Sequence, residues 1–551
     1  MQEITKAKDQ RPKTKDQIIW LLFAVVIVAV YFFGLSIPLL GPDEPRYAQV
    51  AREMFERNDW ITPTLGGVNW FEKPALLYWL QIASYNIFGV SEFAARFGSA
   101  LFGLGTIFSL WILGRQWSVA RSVGQWSVEN PKTKDQKPKI DFANWLALIA
   151  ASSIGLIAFS RGASFDIILT FPITASLVCY FVFETFLQKH CFSAAPNIIL
   201  LSKSTLAKIN AIIPPIVWAH LFLFGFYFFI GLALIAKGLI GIVFPFAIVF
   251  FYHVLKFELL PSKIFLISLL WGTIVSLLVA SVWYLPMYLT HGSTFVEEFF
   301  IQHHFERYTS NKYQHPQPLY FFFWVLPLMT IPWLPFFLAS IWDFFKVQSS
   351  KLKVQKFDKL LTLDSRLPTF AVAWLIVPLV FFSFSGSKLP GYILPALPAA
   401  LILTADYVSR FVEKSHQRKY AVQFIAFATF ALVAVALRFF VPSYAQADTT
   451  KYLIETANEN GYGGAKILNL HIISHNVEFY GAGRLIRNAD GKLKKHFGVA
   501  EVLEEIKQQD GRDVLVLVPL EYLHELPESD LVESKILADS GELAIVLVKG
   551  K

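Results

Sequence analysis

Two short segments concentrate residue types that do chemistry. The first is Gly41-Pro42-Asp43-Glu44-Pro45-Arg46-Tyr47. Adjacent carboxylates at the end of a long apolar run carry a cost in desolvation and mutual repulsion. Something must repay it. A plain structural account makes Asp43 the N-cap of a helix whose first turn holds Pro45. A chemical account makes the carboxylates acid, base or charge stabiliser. The second segment is Trp70-Phe71-Glu72-Lys73-Pro74. Glu72 and Lys73 read as a surface ion pair, or as a lysine held by aromatic neighbours at headgroup depth, where it meets a lipid phosphate.

The elements that position these residues are apolar helices. The chain has 551 residues, 55% hydrophobic and 16% charged, with 53 Phe and 15 Trp. That composition excludes a soluble enzyme, a disordered chain and a disulfide scaffold. It predicts a polytopic α-helical membrane protein. Eleven apolar stretches are long enough to span, near 18–40, 93–114, 142–159, 167–187, 212–232, 236–255, 264–289, 319–345, 369–385, 392–409 and 420–440. Tilted or Pro-broken pieces raise the expected count to about 13. The run from Ile18 to Leu40 is longer than a signal-peptide core and lacks a cleavage site, so it is expected to be retained. Cys179 and Cys191 form no metal or redox motif.

Charge sets the orientation. With the amino terminus inside, the loops 115–141, 188–210, 256–263, 346–368 and 410–419 fall on the same side, and with the amino terminus they hold 26 Lys and Arg. The opposite loops before residue 441 hold nine. The net charge of +8 therefore reflects membrane orientation rather than nucleic-acid binding. The hexapeptide PKTKDQ occurs at 12–17 and 131–136, both on the inner side, and reads as a solvated basic face. The first outer loop, 41–92, is long, and its stretch Leu76–Phe88 is amphipathic, so interfacial helices are expected there. Residues 441–551 change character. Asp513–Leu520 and Leu543–Val548 read as strands and Val499–Gln509 as a helix, giving a small outer α/β domain. The expected domains are thus 1–440, in the membrane, and 441–551, outside it.

Residues 43–101, beginning DEPRYAQVAREMFERNDW, resemble the bacterial lipid-A aminoarabinose transferases within the protein O-mannosyltransferase-like GT-C superfamily. The likeness continues in Arg161–Asp166 (RGASFD), in HHFERY at 303–308 with the following HPQP, in SKLPGYILP at 387–395, and in NVEFYGAGR at 476–484. It implies a GT-C fold and an inverting transfer of a sugar, aminoarabinose or another pentose or hexose, from undecaprenyl phosphate to lipid A, a glycan or a protein. It also implies the outer face of the bacterial inner membrane as the place. Asp43 then becomes the candidate base or orienting group for the acceptor, with Asp166 and Glu44 as further catalytic carboxylates. Arg46, Tyr47, Trp70 and Tyr392 would line the substrate, and Lys73, Arg307 and Lys388 would hold the donor phosphate. A divalent metal ion is a candidate cofactor, held by Glu72 with His303 or His304. Two rivals stay open: a protein O-mannosyltransferase, and a lipid-linked sugar transporter or flippase. Transporters keep ionised residues at the midplane, where only Lys237 is expected.

Overall fold

The computed structural model describes residues 11–126, 142–191, 215–306, 316–353, 366–489, 491–509 and 512–551. Its residues fall into two compact units. One comprises residues 1–32, 99–161 and 165–433. The other gathers 33–98, 162–164 and 434–551. The boundary expected at residue 440 is therefore replaced by a different division. The first outer loop and the tail belong to one unit, because the tail packs directly on the loop's helices.

The first unit is helical. Among the described residues, seven helices are long and apolar enough to cross a membrane, and the bent pair Phe321–Met329 and Leu334–Lys346 makes an eighth. This is a multi-pass membrane protein. Many of its large apolar side chains face outward, Leu270 at 79% exposure among them, as expected where the solvent is lipid. The eleven expected stretches all appear as helix, but two of them, Phe142–Ala151 and Ile240–Leu255, are only 10 and 16 residues long. At 1.5 Å per residue these fall short of a hydrocarbon core of about 30 Å.

For Phe142–Ala151 the shortfall has a local cause. Two expected spans are broken, and the breaks satisfy each other. Ser152 and Ser153 turn their hydroxyls back to the carbonyls of Leu148 (2.6 Å) and Ala150 (2.9 Å), which ends the helix that began at Phe142. The second break lies between Met329 and Leu334, where the chain bends by 118°. The freed Ile154 N–H donates to the Ile331 carbonyl at 2.7 Å. Trp333 Nε1 donates to Ser152 Oγ at 3.1 Å. Irregular backbone at this depth survives because each break supplies partners to the other.

The second unit holds two helices in the first loop, Asp43–Glu56 and Leu76–Phe88, where interfacial helices were expected. Between them runs a short antiparallel ribbon, Thr64–Leu65 with Val68–Asn69. The tail is a five-stranded mixed sheet. Its strands are β1 (Ile467–Leu470), β2 (Lys495–His496), β3 (Val514–Pro519), β4 (Val532–Asp539) and β5 (Leu543–Gly550), in the order β2-β1-β3-β5-β4. The expected strands and the helix Val499–Gln508 are all present. Alternation along β3 explains the layers. Val514, Val516 and Val518 pack with Val502 and Ile506, while Leu515 and Leu517 pack with Leu453 and Ile454. The sheet is buried on both faces, one helix to each.

Candidate active site

In the second unit, Asp43 is the first residue of its helix. Pro42 stands at the N-cap, and no side chain caps the helix. The capping account of Asp43 is therefore not what the structure shows. Its carboxylate is half exposed, at 51%, and pairs with Arg46 one turn on. Arg46 also donates Nε to the Pro42 carbonyl at 3.0 Å, and its guanidinium lies 5.9 Å from the Trp70 ring. Burial opposes the charge on Arg46, but Asp43 and Glu72 outweigh it and hold the guanidinium more firmly charged than usual. Tyr47 and Tyr78 are buried beside this group. Burial, reinforced chiefly by Glu72, pushes both phenols well above their ordinary value, so both stay neutral donors.

Glu44 has a different place from the one expected. Both carboxylate oxygens face Arg96, with Nε at 3.0 Å and Nη2 at 2.5 Å. They also accept from the backbone N–H of Leu40 (2.9 Å) and Ala163 (2.6 Å). Arg96 in turn bonds the carbonyls of Leu35, Ile37 and Pro38. Glu44 is thus a fully engaged clamp that ties the start of the Asp43 helix to residues 35–40 and 162–164. It is not a carboxylate turned toward a reactant. Sequence reasoning gave Arg96 no role, because nothing local marks a partner 52 residues away.

The tail adds groups to this unit. Tyr480 accepts from the Leu39 N–H at 2.9 Å and donates to Glu92 at 3.3 Å. Lys451 pairs with Glu92 at 2.7 Å. The short helix Val477–Tyr480 packs on the Asp43 helix, and Arg52 bonds the Phe479 carbonyl. His475 and Glu478 lie within electrostatic reach of Arg46. The segment NVEFYGAGR, read above as part of the family likeness, anchors the first outer loop.

The first unit, taken by itself, holds Asp166, Lys237, Tyr392 and Lys388. Asp166 is the second residue of the helix Phe165–Cys191. It pairs with Lys237, the last residue of the helix Pro215–Lys237, and the ammonium lies 4.9 Å from the Tyr392 ring. Gly238, at φ 72°, turns the chain immediately after Lys237. Gly391 matters for space: a Cβ there would collide with the Asp166 carboxylate. Lys237 was expected deep in the membrane, but it ends a helix instead. Lys388 is buried and donates to the carbonyls of Ser385 (2.7 Å) and Gln317 (3.0 Å). Neutral carbonyls leave its charge in place.

Glu72 accepts from Lys73 at 2.9 Å. Among the described residues, no three of His, Cys, Asp or Glu gather as a metal site. The metal stays an expectation, and no step below is routed through one. Arg307, like Tyr308 and His315, lies outside the described residues, as does the side chain of His304. His303 lies in the turn of helix Glu297–Glu306 and is half-buried.

Comparison with known proteins agrees with this architecture. Residues 18–128 match the family model of dolichyl-phosphate-mannose-protein mannosyltransferase. The undecaprenyl phosphate-α-4-amino-4-deoxy-L-arabinose arabinosyl transferase of Yersinia enterocolitica is 27% identical over 406 residues, 72% of this chain. A second such transferase, from Proteus mirabilis, is 29% identical over 70% of the chain. The crystal structure of ArnT from Cupriavidus metallidurans bound to undecaprenyl phosphate superposes with a TM-score of 0.68 at 20% identity, covering 96% of this chain and 97% of that one. The chain is a multi-pass membrane protein that shares the fold of that ArnT structure. Its sequence is similar to those of the two arabinosyl transferases. The matched stretch spans 60% and 59% of the two curated relatives' own length.

Proposed function

We propose that the chain is an inverting glycosyltransferase. It moves a sugar from a polyprenyl phosphate to a lipid A, glycan or protein acceptor. The observation that carries the reading is Asp43. It is a half-exposed carboxylate at the head of a helix, with its position fixed next door by the fully bonded Glu44 clamp. Asp43 makes no cap bond, and its pairing with Arg46 lies at a half-exposed carboxylate.

In this reaction an acceptor oxygen attacks the anomeric carbon, the bond from that carbon to the phosphate oxygen breaks, and polyprenyl phosphate leaves. If the acceptor is a hydroxyl, Asp43 takes its proton. If it is an anionic phosphate, Asp43 and Arg46 orient it. Asp166 acts in support and holds Lys237 over Tyr392. Lys388, Lys73 and Arg307 stabilise the charge that grows on the leaving phosphate. The names of the relatives support undecaprenyl phosphate as the lipid and aminoarabinose as the sugar. Glu44 we assign to positioning.

We place the protein in the bacterial inner membrane, with residues 41–92 and the tail facing the periplasm, on the Lys and Arg bias of the other loops. Cysteine labelling from outside should reach positions near Asn69 and in the tail and spare position 134.

The test of function is direct. Purified protein is incubated with radiolabelled polyprenyl-phosphate sugars and with lipid A, glycan and peptide acceptors. Label in an acceptor supports transfer, and the peptide arm decides for the protein O-mannosyltransferase reading that the family model over residues 18–128 favours. Label moved across a sealed membrane with the donor intact would replace transfer by transport. The helix-end position of the Asp166–Lys237 pair speaks against that rival, which needs its charges at the midplane.

A further inference from the structure

The first unit contains an apolar cavity that the reaction above does not use. It runs between the helices Glu92–Trp126, Phe165–Cys191 and Pro215–Lys237, with a volume of about 420 Å³. Along the first of these helices it extends from Gly105 to Val119, which is about 21 Å at 1.5 Å per residue. Averaged over that length its cross-section is about 20 Å², the width of one extended hydrocarbon chain. Ala175 forms part of its buried wall. Phe108, 59% exposed, opens it toward the lipid.

One ionised residue lines this cavity, Arg115, close to its Val119 end. Its guanidinium lies 5.3 Å from the Trp111 ring, which holds it at the rim. Arg115 is 23 residues beyond Glu92 in the same helix, or about 35 Å along its axis. It therefore stands at the opposite membrane face from Glu92, which pairs with Lys451 of the tail. The sequence that follows this helix carries Lys132, Lys134, Lys137 and Lys139.

We propose that this groove is a binding site for an anionic phospholipid of the bilayer. One acyl chain lies along Gly105–Val119 and the phosphate meets Arg115. A guanidinium suits phosphate because it offers paired donors in a fixed plane. A neutral-headgroup lipid would fill the groove without the charge contact. A polyprenyl phosphate bound for reaction has its phosphate at the other face, beside Lys388 and Lys73 in the reading above.

The test uses the full-length protein in detergent, titrated with phosphatidylglycerol, phosphatidylcholine or undecaprenyl phosphate and read by native mass spectrometry. Phosphatidylglycerol should bind at least about tenfold more tightly than phosphatidylcholine, as one charge-assisted contact predicts. Arg115→Gln should abolish that preference, and Ala175→Trp should block the lipid altogether. A photoactivatable phosphatidylglycerol on the unaltered protein should crosslink within 105–119 or 171–182, which keeps the test independent of how Ala175→Trp folds. Equal affinity for the two phospholipids would overturn the proposal, as would crosslinks elsewhere. So would undecaprenyl phosphate displacing the phosphatidylglycerol crosslink at lower concentration.

Discussion

Glu44 and Arg96, 52 residues apart in the chain, form a two-contact ion pair that fixes the helix beginning at Asp43. The pair is buried and surrounded by backbone partners, three carbonyls on Arg96 and two N–H groups on Glu44. Neighbouring carboxylates in one motif therefore have opposite fates. Glu44 spends all its acceptors on structure, and Asp43 keeps a half-exposed face.

This division predicts what Asp43→Asn does. The side chain keeps its shape and loses its charge, and no cap bond is lost with it. The variant should fold and bind donor normally, with turnover lower by at least about a hundredfold, the ordinary worth of a general base. The measurement is single-turnover transfer alongside donor affinity. A near-normal rate would move the catalytic role to another carboxylate.

Glu44→Gln should behave in the reverse manner. It leaves Arg96 buried without its counter-charge, which typically costs about 3–5 kcal/mol. Thermal unfolding in detergent should show the loss. A Glu44→Gln protein as stable as the parent, yet inactive, would return Glu44 to the chemistry.

Asp166 and Lys237 should be coupled. Either Asp166→Asn or Lys237→Met strands a partly buried charge, and each should destabilise. The double variant should be more stable than the two single losses added together, by about 0.5–3 kcal/mol. It should stay slow in transfer, because stability returns without the charges at the site. A double-mutant cycle run on both stability and rate separates these outcomes.

Lys388→Met and Lys73→Ala should weaken donor binding. Each charge-assisted contact with phosphate is worth about 1.5–3 kcal/mol, or roughly ten- to a hundredfold in affinity. Arg307→Ala should do the same. Unchanged affinity in all three would make them interface anchors.

The tail carries a pH signature. Burial raises the Glu478 carboxyl from 4.5 to about 7, against the pull of Arg487 and with Glu53 adding to it and Arg46 opposing. Burial lowers His475 from 6.5 to about 4, with Arg46 and Arg487 lowering it further and Asp43 opposing. The two act in opposite senses. Between pH 4.5 and 7 folded Glu478 keeps a proton that the unfolded chain has lost, so its contribution falls as pH rises. Between pH 4 and 6.5 the unfolded chain holds a proton that folded His475 lacks, so that contribution rises with pH. They largely cancel from pH 4.5 to 6.5. Relative to the parent, Glu478→Gln should gain stability as pH rises through 4.5–7, and His475→Asn should lose it through 4–6.5. Melting temperatures across pH 4–8 check both signs, and parallel curves for parent and variants would refute them.

The sequence by itself determined the membrane class, the position of the apolar helices and the small α/β tail. Each is a local property, set by hydrophobic run length, by the charge of short loops and by alternation along strands such as Val514–Pro519. It also offered Asp43 on local chemistry, and Asp166 and Lys388 through the family resemblance. Only the tertiary structure decided how those residues differ. Glu44 and Asp43 are neighbours in sequence, and what separates them is Arg96, 52 residues on, and the Ala163 N–H, further still. Lys237 reads as deeply buried from its flanking residues, but Gly238 and Asp166 place it at a helix end. The breaks at Ser152–Ser153 and Ile331 were hidden for the same reason. A broken span is stable only when a distant partner accepts its freed backbone groups, and the partner's distance leaves no mark on the local pattern.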